Sequence, residues 1–423
     1  MWGKQRARTG MLILVVTLTG TACPLPNPDC SWGRTAAITA VGNPTQARGQ
    51  PFTVRLEDLD RVKEEHFSCS EKYLTAMRKL RNSADEKLAQ PLVNVMQKTG
   101  VPPSGDTHDY FSLSRYYWPN PDTADGLPYI RLDDVNPEAF STTYDKTASE
   151  TLFTALRILA PAYYLNDEEK FAQRAAEQVR MWFLAPATRM NPNLQYAGSI
   201  PGGLAGRAVV EWVQMVKLLD GVEMLKRSQH WTSDDDAGLH AWVEAYVEWM
   251  STHPQALDDA NRENNHGTWY DVQLATLLLY AGQHDEARSL LEVAKARRIS
   301  VQIEPDGHQP FETDHGSPWV NSTANLRAFM DLATLAERVG VDLWSYQTAD
   351  GRGIRKALDF LVTFAFEGQP WPWDEPVKHE ALFELLRRAS RAYDDPHYEE
   401  LVGRIPDQET VNRDIGQLLW PAR

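Results

Sequence analysis

Cysteine is scarce in this 423-residue sequence, which holds only Cys23, Cys30 and Cys69. They form no C-x-x-C pair, so a cysteine-built zinc cluster is excluded. Long apolar runs are scarce too. Residues 11–18 (MLILVVTL) are too few to span a bilayer, and no later stretch approaches the roughly 18 residues a membrane helix needs. Positive charge is in deficit, with 43 Lys and Arg against 58 Asp and Glu and a net charge of -15. Nucleic-acid binders are usually basic, so that class is disfavoured. A Gly-rich phosphate loop, a G-x-S-x-G elbow and an H-E-x-x-H helix are all missing. His308 and His315 with Asp314 lack metal-ligand spacing, so neither a metal nor a cofactor is expected.

What is present begins with an export signal over residues 1–22. Lys4, Arg6 and Arg8 precede the apolar run, and Gly20, Thr21 and Ala22 supply small residues before a cut. The expected location is periplasmic or secreted. Cys23 after Gly-Thr-Ala is similar to a lipid-attachment site, although Gly20 stands where Leu is usual. Cys30 and Cys69 are candidates for a disulfide in an oxidising compartment. Residues 23–55 read as a mature leader or linker, and residues 56–423 as the folded domain.

From Leu56 onward the pattern is helical. Leu152, Leu156, Leu159 and Ala160 share a face behind a candidate capping box at Thr147 and Glu150. Leu239, Trp242, Val243 and Tyr246 repeat the spacing behind Thr232. Leu326, Phe329, Met330 and Ala333 repeat it again, with Gly340 as a stop signal. Other helical stretches lie near residues 71–98, 168–184, 206–227, 267–281, 352–366, 377–393 and 408–419. A row of antiparallel helix pairs without a fixed sequence repeat favours a closed all-α (α/α) toroid over a solenoid. Long non-helical segments are expected at 101–141 and 300–320, with a shorter one at 368–376. Loops of that length in a compact domain are usually functional.

The densest polar cluster is Asn264-Asn265-His266-Gly267-Thr268-Trp269-Tyr270-Asp271, at the start of an apolar helix. Amides, an imidazole and a helix N-terminus together suit an anionic group such as a carboxylate. A plainer alternative makes Asn264 or Asn265 an N-cap and His266 a satisfied surface residue. Tyr116, Tyr117 and Trp118, and separately Trp371 and Trp373, could stack on sugar rings or simply pack.

NNHGTWYDVQLATLLLYAG resembles the signature helix of the alginate lyase family. DYFSLSRYYWPNP with LPYIRLDDVNPE, NPNLQYAGSIPGGLAGR, and QIEPDGHQPFE with the later NLRAFMDLATLAERVGVDLWSY resemble further motifs of that family in the same order. The resemblance implies an (α/α) toroid and β-elimination on a uronate-containing polysaccharide. It places Asn265, His266, His315 and Tyr270 as catalytic candidates. It places Arg207, Tyr117, Trp118, Arg131, Trp269, Gln309, Glu312 and Trp319 along the substrate groove. The chain departs from the family pattern in three places: His315 stands at the usual Arg, Asn321 at the usual catalytic Tyr, and Gly198 at a common Gln. Three functions remain open on sequence alone. They are a lyase, a glycan-binding protein with a degenerate site, and a hydrolase using Asp271 and Glu312 as its acid-base pair. A strongly acidic chain repels a polyanion, but screening limits that to about 8 Å at physiological salt, so local cations can still hold a uronate. The sequence leaves the oligomeric state open.

Overall fold

A computed structural model describes residues 49–68, 71–132, 134–203, 209–314 and 316–423. The expected export signal, Cys23, Cys30, Cys69, Arg207 and His315 lie outside the described residues. Within them the chain is predominantly helical. Helices α1 (Leu56–Phe67), α2 (Leu74–Ala89), α3 (Lys146–Asn166), α4 (Glu169–Val179) and α5 (Met215–Leu225) form the first half. Next come α6 (Ser233–Thr252), α7 (Pro254–Ala260), α8 (Asn265–Tyr280), α9 (His284–Ala294), α10 (Ser300–Gln302) and α11 (Pro310–Thr313). The last are α12 (Pro318–Glu337), α13 (Ile354–Phe366), α14 (Phe383–Ala392), α15 (Pro396–Val402), α16 (Gln408–Arg413) and α17 (Gly416–Leu419).

One set of helices packs in sequence around the core: α3 against α5, α5 against α8, α8 against α12, and α12 against α14. The others cover this row, with α4 on α3, α6 and α9 on α8, and α13 on α12. The C-terminal elements return to the N-terminal ones. Helix α17 packs on α1 and α2, and Arg61 Nη1 donates to the Ala422 carbonyl at 2.7 Å.

Four short strands hold the long segment between α2 and α3. Strand β1 (Phe111–Leu113) runs parallel to β4 (Tyr196–Ser199), and β2 (Tyr117–Trp118) pairs antiparallel with β3 (Ile130–Arg131).

Local sequence explains several helix starts. Thr232 caps α6 with the Asp235 amide on its hydroxyl, and Asp235 bonds back to the Thr232 amide. Pro310 and Pro318 occupy the first helical positions of α11 and α12, where a missing N–H costs nothing. The segment 300–320, expected to be non-helical, instead holds α10, α11 and the start of α12. Gly340, at φ 72°, follows the end of α12 as expected. The capping box anticipated at Thr147 and Glu150 does not form. Helix α3 starts at Lys146, and the Thr147 hydroxyl donates to the Phe140 carbonyl instead. The preceding Asp145 has its carboxylate occupied by the Phe111 amide at 2.9 Å and the buried Lys98 ammonium at 3.0 Å.

The leader reading also fails from Gly49 onward. Residues 51–54 are buried rather than trailing as a linker. Asp220 on α5 accepts the amides of Phe52 and Thr53 at 2.5 and 2.9 Å and the Thr53 hydroxyl at 2.5 Å. Arg338 donates to the Pro51 and Phe52 carbonyls. Composition pointed to a linker because Pro, Gly and Thr suit turns; the buried carboxylate of Asp220 supplies the bonding that the segment cannot make within itself. Asp220→Ala should therefore orphan several buried donors and lower the unfolding free energy by about 3 kcal/mol. Urea denaturation measures that loss, and faster proteolysis near residue 50 should accompany it.

Candidate active site

Helix α8 is apolar on nearly every side. Apart from Trp269, which is half-buried against the core, every residue from Gly267 to Tyr280 is buried. A helix of that kind belongs inside a fold. Its first turn is the exception, because the N-terminal N–H groups have no partners within the helix. Asn264 is the N-cap, with its side chain accepting the His266 amide at 3.2 Å.

Gly267 follows because nothing larger fits. A Cβ there would meet the Arg262 carbonyl and the Arg298 guanidinium. Arg298 is itself buried. Its Nε and Nη2 grip the Asp271 carboxylate at 2.7 and 3.0 Å, while Nη1 and Nη2 donate to the Arg262 and Ala260 carbonyls at 2.7 Å each. This cation ties the loop before α8 to the helix behind it.

Asn265 and His266 stand half-buried at the exposed end, each against a buried carboxylate from a different segment. Glu312 on α11 accepts the Asn265 backbone amide and its Nδ2, both at 2.5 Å. Asp259 on α7 faces His266 Nδ1 at 3.4 Å, and its other oxygen accepts the Val209 amide at 3.0 Å. Beneath them a buried amide network joins α8 to α12. The Thr268 hydroxyl and Asn325 Nδ2 both reach Gln302 Oε1, and Asn325 Nδ2 also reaches Gln309 Oε1.

The structure sorts the candidates read from the sequence. Asn265, His266 and Glu312 come together, with Glu312 holding Asn265. Tyr270 is corrected: its hydroxyl is buried and donates to the Met250 carbonyl at 2.7 Å, and burial pushes it well above the usual phenol range. It is a packing residue, not a proton carrier. Gln309 is buried in the amide network, its Nε2 on the Ser322 carbonyl at 3.2 Å, so it cannot line a groove. Trp319 is fully buried, with its indole N–H on the Lys378 carbonyl and its ring edge-on to Trp371. These three lie on motif segments, but their side chains turn inward: helical phase directs Tyr270 and Trp319, and Gln309, just before α11, bonds inward to Ser322 and Asn325.

Trp269 packs partly against the core. Tyr117 and Arg131 are directly opposite in the β2–β3 pair, with Tyr117 half-buried and Arg131 exposed. Trp118 is half-buried, its indole N–H on the Asp134 carbonyl at 2.9 Å. The Tyr129 amide beside that hairpin donates to the Pro201 carbonyl at 3.0 Å. Trp371 and Trp373 pack on each other and on Phe360, Phe364 and His308. Asn321 sits in the first turn of α12 and donates to the Gly316 carbonyl at 3.1 Å. Gly198 adopts φ 58°, a backbone conformation that a Gln would enter only with strain.

The hydrolase reading does not survive. Asp271 is sealed in its pair with Arg298, and Glu312 is taken up by Asn265, so neither is a free acid or base. Sequence reasoning missed Asp259 and Arg298. For Asp259 one signal was available, an aspartate in the helix just before the NNHG turn; for Arg298 there was none.

The family model for alginate lyase matches residues 94–371, well over half of the chain. The chain belongs to the alginate lyase family. An alginate lyase structure from Bacteroides ovatus is 32% identical, superposes with a TM-score of 0.82, and the match covers 88% of this chain and 99% of that one. Alginate lyase A1-III from Sphingomonas species A1 is 15% identical with a TM-score of 0.51 over 89% of this chain and 97% of that one, which reports a shared fold. No curated protein matches. This member of the alginate lyase family is a polysaccharide lyase, an enzyme that breaks glycosidic bonds by β-elimination.

Gly267→Ala gains helix propensity of about 1 kcal/mol but forces backbone and guanidinium apart, a cost of roughly 1–3 kcal/mol or more. The net expectation is a lower melting temperature in this lyase, measured by thermal circular dichroism.

Proposed function

We propose that this lyase acts on an alginate-type polyuronate, with Asn265 and His266 at the reacting sugar. The observation that carries the reading is the pairing of these two side chains at the N-terminus of α8, each held by its own buried carboxylate. The proton on C5 of a uronate is weakly acidic because its loss builds charge on an adjacent carboxylate. Amide donors and the positive end of a helix lower that barrier by stabilising the enolate-like intermediate. Asn265 has one Nδ2 hydrogen on Glu312, leaving the other for the substrate carboxylate. The imidazole of His266 takes the C5 proton, the C5–H electron pair becomes the C4=C5 double bond, and the C4–O bond breaks. The leaving oxygen takes a proton from the imidazolium when both bonds lie on one face of the ring, and otherwise from another acid such as water.

Arg207 and His315, by their positions in the sequence motifs, are proposed to supply cationic character for the uronate. The first turn of α12 has Asn321 and no Tyr, so the proton work falls to histidine in this reading. Tyr117, Trp118, Trp269 and Arg131 are proposed to line the outer groove. The return of α17 onto α1 and α2 supports closure of the helix row into a toroid. Residues 1–22 are proposed as an export signal for a periplasmic or secreted enzyme, which the N-terminal sequence of the mature protein would test. Among the described residues no helix is long and apolar enough to cross a membrane.

Incubation with alginate, glucuronan, pectate and glycosaminoglycans, followed by near-ultraviolet absorbance, tests the activity. Alginate should give the unsaturated product, and His266→Ala should abolish it. Full activity in that variant would remove His266 from the mechanism. Glu312→Ala should lower kcat by roughly 10- to 100-fold, because it frees the Asn265 amide to turn away from the substrate.

A further inference from the structure

We infer that Asp259 is the positioning residue that fixes the tautomer of His266 and thereby makes its Nε2 the base. The inference rests on the lyase reading above and adds a residue that the motifs do not contain.

Two aspartates stand side by side at the end of α7, and they part company. Asp258 faces outward and pairs with Arg262 at 2.6 Å. Asp259 turns inward and is fully buried. The turn from Asn261 to Asn264 folds the end of α7 back against the start of α8. One Asp259 oxygen thereby lies 3.4 Å from His266 Nδ1, and the other takes the Val209 amide.

Among the described residues no Lys or Arg pairs with Asp259; His266 is its one ion-pair neighbour. That is an expensive arrangement for a fold. A buried carboxylate with one amide and one imidazole for company costs more than an uncharged residue of similar shape. Stability alone therefore does not explain an aspartate here. Orientation does. An ionised carboxylate only accepts hydrogen bonds, so the proton of neutral His266 must sit on Nδ1. Nε2 is left with a lone pair. It has no hydrogen-bond partner among the described residues, and the His266 side chain is one-quarter exposed. The 3.4 Å separation is long for a free enzyme's hydrogen bond, and such contacts commonly shorten when substrate binds. When His266 takes the C5 proton and becomes imidazolium, the adjacent carboxylate stabilises the charge.

The arrangement divides labour along two consecutive residues. Glu312 orients the amide of Asn265 toward neutralisation, and Asp259 orients the ring of His266 toward proton abstraction. A chain lacking a Tyr at position 321 has all the more need of a histidine held in one tautomer.

The test begins with the unaltered protein. Nitrogen-15 spectra of the His266 imidazole, assigned by loss of the signal in His266→Gln, should show the Nδ1–H tautomer near neutral pH. The Nε2–H tautomer would overturn the inference, whether or not any polysaccharide is cleaved, so its failure is separable from failure of the lyase reading. Asp259→Asn should melt at the same temperature or higher, since a costly charge is gone, yet lose the single tautomer. With alginate as substrate its kcat should fall roughly 100-fold while KM stays within about threefold. Asp259→Glu should recover part of kcat. Unchanged kcat in Asp259→Asn, or a loss that merely follows unfolding, would assign Asp259 to structure instead.

Discussion

The burial of α8 governs the rest of this molecule. A helix wrapped on all sides by apolar neighbours can meet water and polar ligands at its ends, and here the N-terminal end is the one that emerges. Each N–H and side chain of that first turn needs a partner. The fold brings Asn264 from the preceding turn, Glu312 from α11 and Asp259 from α7, while Arg298 secures the turn from behind. The same requirement that satisfies the helix end assembles a polar constellation facing solvent.

Charge placement at this end is economical. Asp271 and Arg298 neutralise each other below the surface with both side chains buried. Glu312 spends its two oxygens on one asparagine. Among the described residues, the polar side chains left to face a ligand at this end are an amide and an imidazole. A uronate carboxylate thus meets donors rather than bare carboxylates, even though the chain as a whole is strongly acidic. Net charge describes long-range repulsion, which salt screens; the chemistry depends on the few groups within contact distance.

Two of the positions read from the sequence as departures from the family pattern, 321 and 198, have local physical settings. Asn321 bonds to the Gly316 carbonyl and so braces the loop that leads into α12. Gly198 takes a left-handed backbone within β4 and gives its N–H to Ser112 at 2.7 Å. Both residues thus have structural employment in this chain, and in the proposed mechanism proton transfer falls to His266.

The sequence by itself determined the helical class, the site segment and the family. Apolar spacing of three and four residues marks a helix wherever it is packed, Thr232 and Asn264 announce their caps by type, and NNHG with its companion motifs survives as text. Tertiary structure alone decided which motif residues are buried. Tyr270, Gln309 and Trp319 lie on the motif segments but point into the core, because the direction of a side chain depends on helix phase or loop path and on what packs above it. It alone decided that Gly49–Val54 belongs to the domain, since the carboxylate that holds it comes from Asp220, far along the chain. And it alone revealed Asp259, whose partnership with His266 exists because a turn closes two helices upon each other, a geometry that no residue spacing encodes.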